Sequence, residues 1–157
     1  MSIECKKGSE MMASAAAASN KVYMRILLNR TMDQMTCFCQ AKHVLREFRA
    51  NQTFNVKYRP LCPHNLTVVT VGVSFITFSW TPGFDGGLRQ SFIIQDVTRG
   101  NILANISDDK TGGVHVVYNI TGLPGNTGYT VSVDAENNEG RTLCRQNSIN
   151  VTTADTY

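Results

Sequence analysis

Apolar and polar residues alternate with a period of two in short runs between residues 64 and 154. The clearest runs lie at 76–81, 115–120 and 129–135, and turn residues such as Gly112-Gly113 separate them. Alternate side chains of a strand point to opposite faces of its sheet. The alternation therefore predicts short antiparallel strands that bury one face and expose the other, which is typical of an all-β sandwich.

The parity of each run predicts which of its side chains are buried. Trp80 and the apolar residues spaced by two before it are expected in the core, and so is Tyr129 with the valines that follow it. Ser132 and Asp134 have the opposite parity. We therefore expect these two polar residues on the solvent face of their strand.

Residues 1–58 differ in character from the rest of the chain. In order, they hold an alanine-rich stretch at 13–18, β-like runs at 21–28 and 35–41, and an alternating run at 53–56. The short join that follows carries Pro60 and Pro63, which restrict the backbone to an extended path. This organisation predicts two domains, 1–58 and 59–155, placed end to end with limited bending.

Composition narrows the class of protein. The chain has 157 residues, of which 42% are hydrophobic and 17% charged, and a formal net charge of +3. This is too apolar for a disordered segment, and the charge is too small to indicate nucleic-acid binding. The N-terminus lacks the apolar core of a signal peptide, and no run reaches the ~18 apolar residues of a membrane span. We therefore expect a fragment of a longer protein, attached to a membrane only through a segment outside this chain.

Acceptor sites for N-linked glycans are frequent. The Asn-x-Ser/Thr asparagines are Asn29, Asn51, Asn65, Asn105, Asn119 and Asn150. Asn65, Asn119 and Asn150 each have the opposite strand parity to an apolar neighbour, which predicts a solvent-facing side chain. The sequence thus predicts a glycoprotein of the secretory pathway.

One pattern of residues carries a family resemblance. Trp80 is followed by Pro82-Gly83, and Leu123 and Tyr129 precede a Val-x-Val-x-Ala run. This region resembles a fibronectin type III domain, a β-sandwich of seven strands in two antiparallel sheets. The resemblance implies that Trp80, Leu123 and Tyr129 are structural core residues, with Tyr129 as the tyrosine corner of the sixth strand.

A more specific resemblance lies between Trp80 and Phe92. This segment is similar to the single type III domain of nephrin-like adhesion receptors of the immunoglobulin superfamily, which a C2-type immunoglobulin domain precedes. Ser2–Cys5 and Cys39–His43 resemble the two cysteine-bearing strands of such a domain. No tryptophan lies between the cysteines, and Cys37 stands at the position of the corner tyrosine. The resemblance therefore implies a partial immunoglobulin-like sandwich.

The five cysteines leave at least one thiol unpaired. The immunoglobulin resemblance implies a Cys5–Cys39 disulfide, with Cys37 as an alternative partner because it lies two residues away on the same strand face. The type III resemblance places Cys62 and Cys144 at the same pole of the sandwich, which favours a disulfide between them.

No residue pattern indicates a cofactor, a metal or a catalytic site. Cys37, Cys39 and His43 lack a second ligand pair at zinc spacing, and no catalytic set can be assembled from the sequence. We expect an extracellular adhesion or recognition receptor fragment without enzymatic activity. Its partners would be other cell-surface or matrix proteins, bound homophilically or heterophilically, and its type III domain would be a membrane-proximal spacer. The alternatives are a secreted matrix scaffold and the ectodomain of a receptor tyrosine phosphatase or kinase.

Overall fold

The computed structural model describes residues 1–18, 21–43, 45–109 and 114–156, so the predicted Gly112-Gly113 turn lies outside it. The chain divides into two compact units, Met1–Lys57 and Tyr58–Tyr157. The regular elements of the described residues are twelve strands and two short 3-10 helices, which confirms the prediction of an all-β chain. The predicted boundary lies one residue from the division between the units.

Unit 1 contains one four-stranded antiparallel sheet within its described residues. Its elements are β1 (Ser2–Lys7), β2 (Glu10–Ala16), a 3-10 helix (Arg30–Met32), β3 (Thr36–His43) and β4 (Arg46–Thr53). The strand order is β2-β1-β3-β4, so β2 and β4 are the edges. The interpretation of this sheet as part of an immunoglobulin-like sandwich stays a prediction.

The core of unit 1 is small. Cys5, Met35 and Cys37 are buried, and Met24 and Ile26 are among the half-buried residues that pack against them. The β-like run 21–28 forms no strand, although its side chains alternate in burial. Of the run 53–56, only the first residue belongs to β4. A short apolar run therefore covers the sheet here without joining it.

Unit 2 is a two-sheet sandwich. Its elements are β5 (His64–Val71), β6 (Phe75–Thr81), β7 (Ser91–Asp96), β8 (Asn101–Ser107), β9 (Val116–Thr121), β10 (Gly128–Asn137), β11 (Gly140–Thr142), a 3-10 helix (Arg145–Asn147) and β12 (Ile149–Thr152). One sheet has the order β5-β6-β9. The other has the order β11-β10-β7-β8, with β12 also paired to β10. All pairings are antiparallel.

The core of unit 2 lies between these sheets. Trp80 is fully buried, and its ring makes an edge contact with Phe92 at 5.5 Å between centroids. Tyr129 belongs to the same buried cluster, and half-buried Leu123 packs against it. Strand β6 alternates strictly between buried and half-buried positions, as expected for a strand with one face on a core.

Candidate functional site

The residues that precede β5 are hydrogen-bonded to one end of the sandwich, which we call the entry pole. The backbone N–H of Tyr58 donates to the Gly86 carbonyl at 3.2 Å, and that of Leu61 donates to the Phe84 carbonyl at 2.8 Å. The Asn137 side-chain amide donates to the Tyr58 carbonyl at 2.8 Å. The β6–β7 loop and the end of β10 therefore hold the incoming chain from two directions.

The second half of the incoming chain is held by the segment after β10. The Thr142 hydroxyl donates to the Pro60 carbonyl at 2.6 Å, and the Asn147 amide donates to the Pro63 carbonyl at 3.1 Å. Between these contacts, Cys62 and Cys144 form a disulfide with their Cα atoms 5.6 Å apart. This is the pair that the type III resemblance favours. Residues 58–63 are thus fixed to the sandwich both covalently and by hydrogen bonds.

Two glycines allow the close approach of this chain. Gly86 has φ of +73°, and a Cβ there would lie 1.8 Å from the Tyr58 carbonyl oxygen. A Cβ at Gly83 would lie 2.6 Å from the Leu61 carbonyl oxygen. Side chains at these positions would push the incoming chain off the loop. The glycines of the Trp80–Phe92 segment therefore have a structural role at the entry pole.

Three exposed apolar side chains lie at the same pole. Leu61, Phe84 and Leu143 are 42%, 50% and 56% exposed. Leu61 is hydrogen-bonded through its backbone to Phe84, and Leu143 stands between the residues that contact Pro60 and Cys62. We call these three residues the pole patch. Their backbones are close together, and a region that holds several exposed apolar residues is a candidate protein contact surface.

A buried polar network covers the outer face of the larger sheet. Asp134 and Ser132 are fully buried, so the prediction that they face solvent is wrong. The Gln95 amide donates to the Asp134 carboxylate at 3.0 Å and to the Ser132 hydroxyl at 3.2 Å. Arg141 forms an ion pair with Asp134 at 2.7 Å, and the Cys144 backbone N–H donates to the same carboxylate at 2.8 Å. Gln95 from β7 and Arg141 from β11 cover these two residues and exclude water. The alternation along β10 does not predict that neighbouring strands provide this cover.

A second buried carboxylate, Asp96, lies at the end of β7. The Arg99 guanidinium forms an ion pair with Asp96, donates to the Gly128 carbonyl at 2.8 Å, and lies 5.3 Å from the centre of the Tyr129 ring. Burial of the carboxyl raises the pKa of Asp96. Hydrogen bonds from Arg99 and from the Thr98 and Thr130 backbone, together with the Arg99 charge, lower the pKa, and their combined effect is the larger, so the net shift is downward. Arg99 and Asp96 therefore fix Tyr129 where β10 begins.

The glycan-acceptor asparagines are all exposed; they are Asn29, Asn51, Asn65, Asn105, Asn119 and Asn150. In Asn119 and Asn150 the carbonyl oxygen accepts a hydrogen bond from a threonine hydroxyl on the neighbouring strand, at 3.1 and 2.9 Å. In Asn29 the carbonyl oxygen accepts from Thr31. These bonds engage the oxygen, and not the amide nitrogen to which a glycan is attached. Occupancy of the six sites stays a prediction.

The cysteine pairing in unit 1 differs from the one expected. Cys5 is bonded to Cys37, and Cys39 is a free, exposed thiol. The register explains the difference, because Cys5 lies directly opposite Cys37 on β3, whereas Cys39 lies opposite Ile3. The Cys5–Cys39 expectation is therefore wrong. The bond joins two strands of one sheet, so it is not the intersheet bond that the immunoglobulin resemblance implies.

The described residues contain no group of three histidine, cysteine or acidic side chains placed to hold a metal ion. Within the same residues, we find no helix with the length and apolar character needed to cross a membrane. The structure does contain a sandwich whose entry pole is tied by a disulfide and hydrogen bonds and whose outer face carries a hydrogen-bonded polar network. These features define a β-sandwich module of the kind that presents surfaces and loops to other proteins.

The comparisons with known proteins identify the module. Residues 62–152, more than half of the chain, match the family model of the fibronectin type III domain. The chain therefore belongs to the fibronectin type III domain family, which is a non-catalytic sandwich fold.

Individual relatives are more distant. The chain is 28% identical over 111 residues to the tyrosine-protein kinase receptor TYRO3 of Gallus gallus; the match covers 69% of this chain and 13% of that receptor. Domains A168–A170 of titin match 98% of this chain and 54% of theirs, at 19% identity and a TM-score of 0.52. The fn3 domain of human collagen alpha-1(XX) matches 63% of this chain and 90% of its own, at 22% identity and a TM-score of 0.43. The titin match shows a shared fold only.

Proposed function

We propose that this chain is part of an extracellular adhesion or recognition receptor, and that its type III domain is a membrane-proximal spacer. The observation that carries the proposal is the entry pole. Residues 58–63 are held there by the Cys62–Cys144 disulfide and by hydrogen bonds from three parts of the sandwich. A spacer needs a fixed path for the chain that enters it, and these contacts hold residues 58–63 against the sandwich.

Two features support an extracellular location. Two disulfides are present, and disulfides persist mainly in oxidising compartments. Six exposed asparagines lie in glycan-acceptor motifs. Partners would be other cell-surface or matrix proteins.

A second candidate is the ectodomain of a receptor tyrosine kinase. The similarity to the chicken receptor favours it, because that match includes 69% of this chain. Since only 13% of that receptor is covered, a kinase domain would be encoded outside this chain. Sequencing the full-length transcript distinguishes the candidates. A kinase domain after a membrane span supports the second, and a short tail supports an adhesion receptor.

The recognition function is tested by display of the chain on suspension cells and by a binding screen of the multimerised chain against extracellular domains. We compare the wild type with a pole-patch variant, Leu61→Ser/Phe84→Ser/Leu143→Ser. The matched control, Val69→Ser/Ile102→Ser/Val117→Ser, removes three side chains of unit 2 that are 56%, 62% and 59% exposed.

If the type III domain is a spacer, the binding surface lies outside it. Both triple variants should then cluster cells and bind partners as well as the wild type. Loss in the pole-patch variant alone would assign the binding to the entry pole and contradict a spacer role. An absence of clustering and of any partner would contradict recognition by this chain.

A further inference from the structure

Strand β4 has one open edge. It pairs with β3 through a continuous register without a bulge, and in the described part of the chain no strand pairs with its other side. All eight of its residues are exposed, and none is proline. Natural edge strands are usually short, bulged, covered or interrupted by proline, because a long regular edge can pair with another strand. β4 has none of these four protections. It does carry charges, which also protect natural edges, at Arg46, Glu47 and Arg49, so pairing requires a register in which these charges attract each other.

We propose that two copies of this chain pair antiparallel through β4, with a two-fold axis at Phe48. Symmetry limits the possible registers. A two-fold axis perpendicular to the sheet keeps even-numbered residues of both copies on one face and odd-numbered residues on the other. Residues directly opposite each other share a face, so two opposed residues must both be even-numbered or both be odd-numbered. The axis therefore lies midway between one residue and the same residue of the second copy.

The charges of β4 select among these registers. An axis at residue 46, 47 or 49 places Arg46, Glu47 or Arg49 opposite the same residue of the second copy, which is repulsive. An axis at residue 50 or beyond pairs no opposite charges within β4. An axis at Phe48 places Glu47 opposite Arg49 of the second copy, and does so twice. Within one copy, Glu47 and Arg49 already lie 3.2 Å apart on one exposed face, so four alternating charges would meet there.

The opposite face of the strand favours the same register. Phe48 is 59% exposed and lies opposite Ala41 of β3. It borders a groove that Ile3, Val22 and Cys39 also line. In the pair, the two Phe48 rings meet across the axis, where aromatic cross-strand pairs are favourable. The groove of each copy then continues into that of the other.

This arrangement does not use the free thiol. Cys39 lies on β3, so three strand spacings, about 14 Å, separate the two Cys39 residues of a pair. A Cys39–Cys39 disulfide is therefore not possible in it. Replacing Cys39 with serine should leave the pairing intact, which separates it from oxidative crosslinking.

The test is sedimentation velocity of the full chain, produced without N-linked glycans because the acceptor Asn51 lies in β4. The chain carries Cys39→Ser and is studied at concentrations up to about 1 mM. We expect a weak, reversible dimer, because a single strand edge buries less surface than a standard interface of ~1,600 Å². Glu47→Arg and Arg49→Glu each replace two attractive pairs with two repulsive ones, and each should weaken the dimer about ten-fold or more. The double variant Glu47→Arg/Arg49→Glu should restore it.

A mixing experiment gives the sharpest result. Glu47→Arg and Arg49→Glu chains should each be monomeric alone, yet form a one-to-one dimer together, since each then faces the opposite charge. Recovery on mixing also shows that both variants are folded. A wild type that stays monomeric to the highest concentration, dimerisation unaffected by the single variants, or no recovery in the double variant and the mixture would each overturn the proposal. None of these results depends on the proposed receptor function.

Discussion

Removal of the Cys62–Cys144 disulfide should strongly lower the free energy of unfolding of unit 2. The variant is Cys62→Ala/Cys144→Ala. The bond closes a loop with a sequence separation of 82 residues, and chain entropy then gives about 4.5 kcal/mol at 25 °C. The hydrogen bonds from Thr142 and Asn147 still hold the incoming chain in the folded state. We therefore expect the native structure to persist and the loss to arise mainly in the unfolded state.

Trp80 provides the assay. It is the single tryptophan of the chain and is fully buried in the core of unit 2, so its fluorescence reports unfolding of this unit. Urea titrations compare the variant with its parent, both carrying Cys39→Ser to prevent disulfide exchange. We expect a lower midpoint and a larger denaturant slope, because the released unfolded chain exposes more surface.

Two results would refute this reasoning. Alkylation and mass spectrometry of the unreduced parent could find Cys62 and Cys144 as free thiols, and then the bond is absent. Alternatively, the bond could be present but its removal could cost less than about 1 kcal/mol with an unchanged slope, well below the usual 2–5 kcal/mol. In that case, the unfolded chain would be compact enough that the crosslink restrains little.

Three further predictions concern single sites in unit 2. Because the pKa of Asp96 is lowered in the folded state, its carboxylate stabilises the fold above the unfolded pKa of about 3.9, and this stabilisation is lost as pH falls through the folded pKa. Asp96→Asn should therefore flatten the acid limb of the curve of unfolding free energy against pH. Parallel curves for the variant and the wild type would contradict this. Asp134→Ala leaves Arg141 without its buried partner and should cost about 3 kcal/mol by urea titration, whereas Asp134→Ala/Arg141→Leu should recover part of it; no recovery would contradict an unpaired-charge cost. Gly86→Ala should lower the thermal midpoint by more than Gly100→Ala, which has a similar φ of +71° but no atom near the added Cβ; equal losses would contradict the contact at the entry pole.

Strand parity predicts the core of unit 2 well, but not its outer face. The alternation in β6 identifies Trp80 as buried, because a strand against a core sends every second side chain inward. The same rule fails at Asp134, since burial there depends on Arg141, which β11 brings over the sheet. Arg141 reaches Asp134 across the β10–β11 hairpin, seven residues on, and Gln95 reaches it from β7, 39 residues before it. Both contacts depend on strand pairing, and a period of two carries no information about that pairing.

The cysteines show a similar limit. Cys37 and Cys39 have the same parity on β3, so spacing alone leaves both as partners for Cys5. The register of β1 against β3 decides between them, and it places Cys5 opposite Cys37. Register depends on all the side chains along both strands and on the turns that join them. The immunoglobulin resemblance supplied a partner from a different sheet arrangement, and that partner was wrong.

The entry pole and the polar face are joined at Cys144. Its sulfur is bonded to Cys62 in the incoming chain, and its backbone N–H donates to the buried Asp134 carboxylate at 2.8 Å. The carboxylate therefore fixes the segment to which the incoming chain is tied. Loss of Asp134 should then loosen residues 58–63 as well as the sheet face, and hydrogen exchange at the Leu61 amide would measure it. Because the glycine loop, the disulfide and the buried ion pair all act on the same few residues, the most specific features of this sequence concern how the chain enters the sandwich.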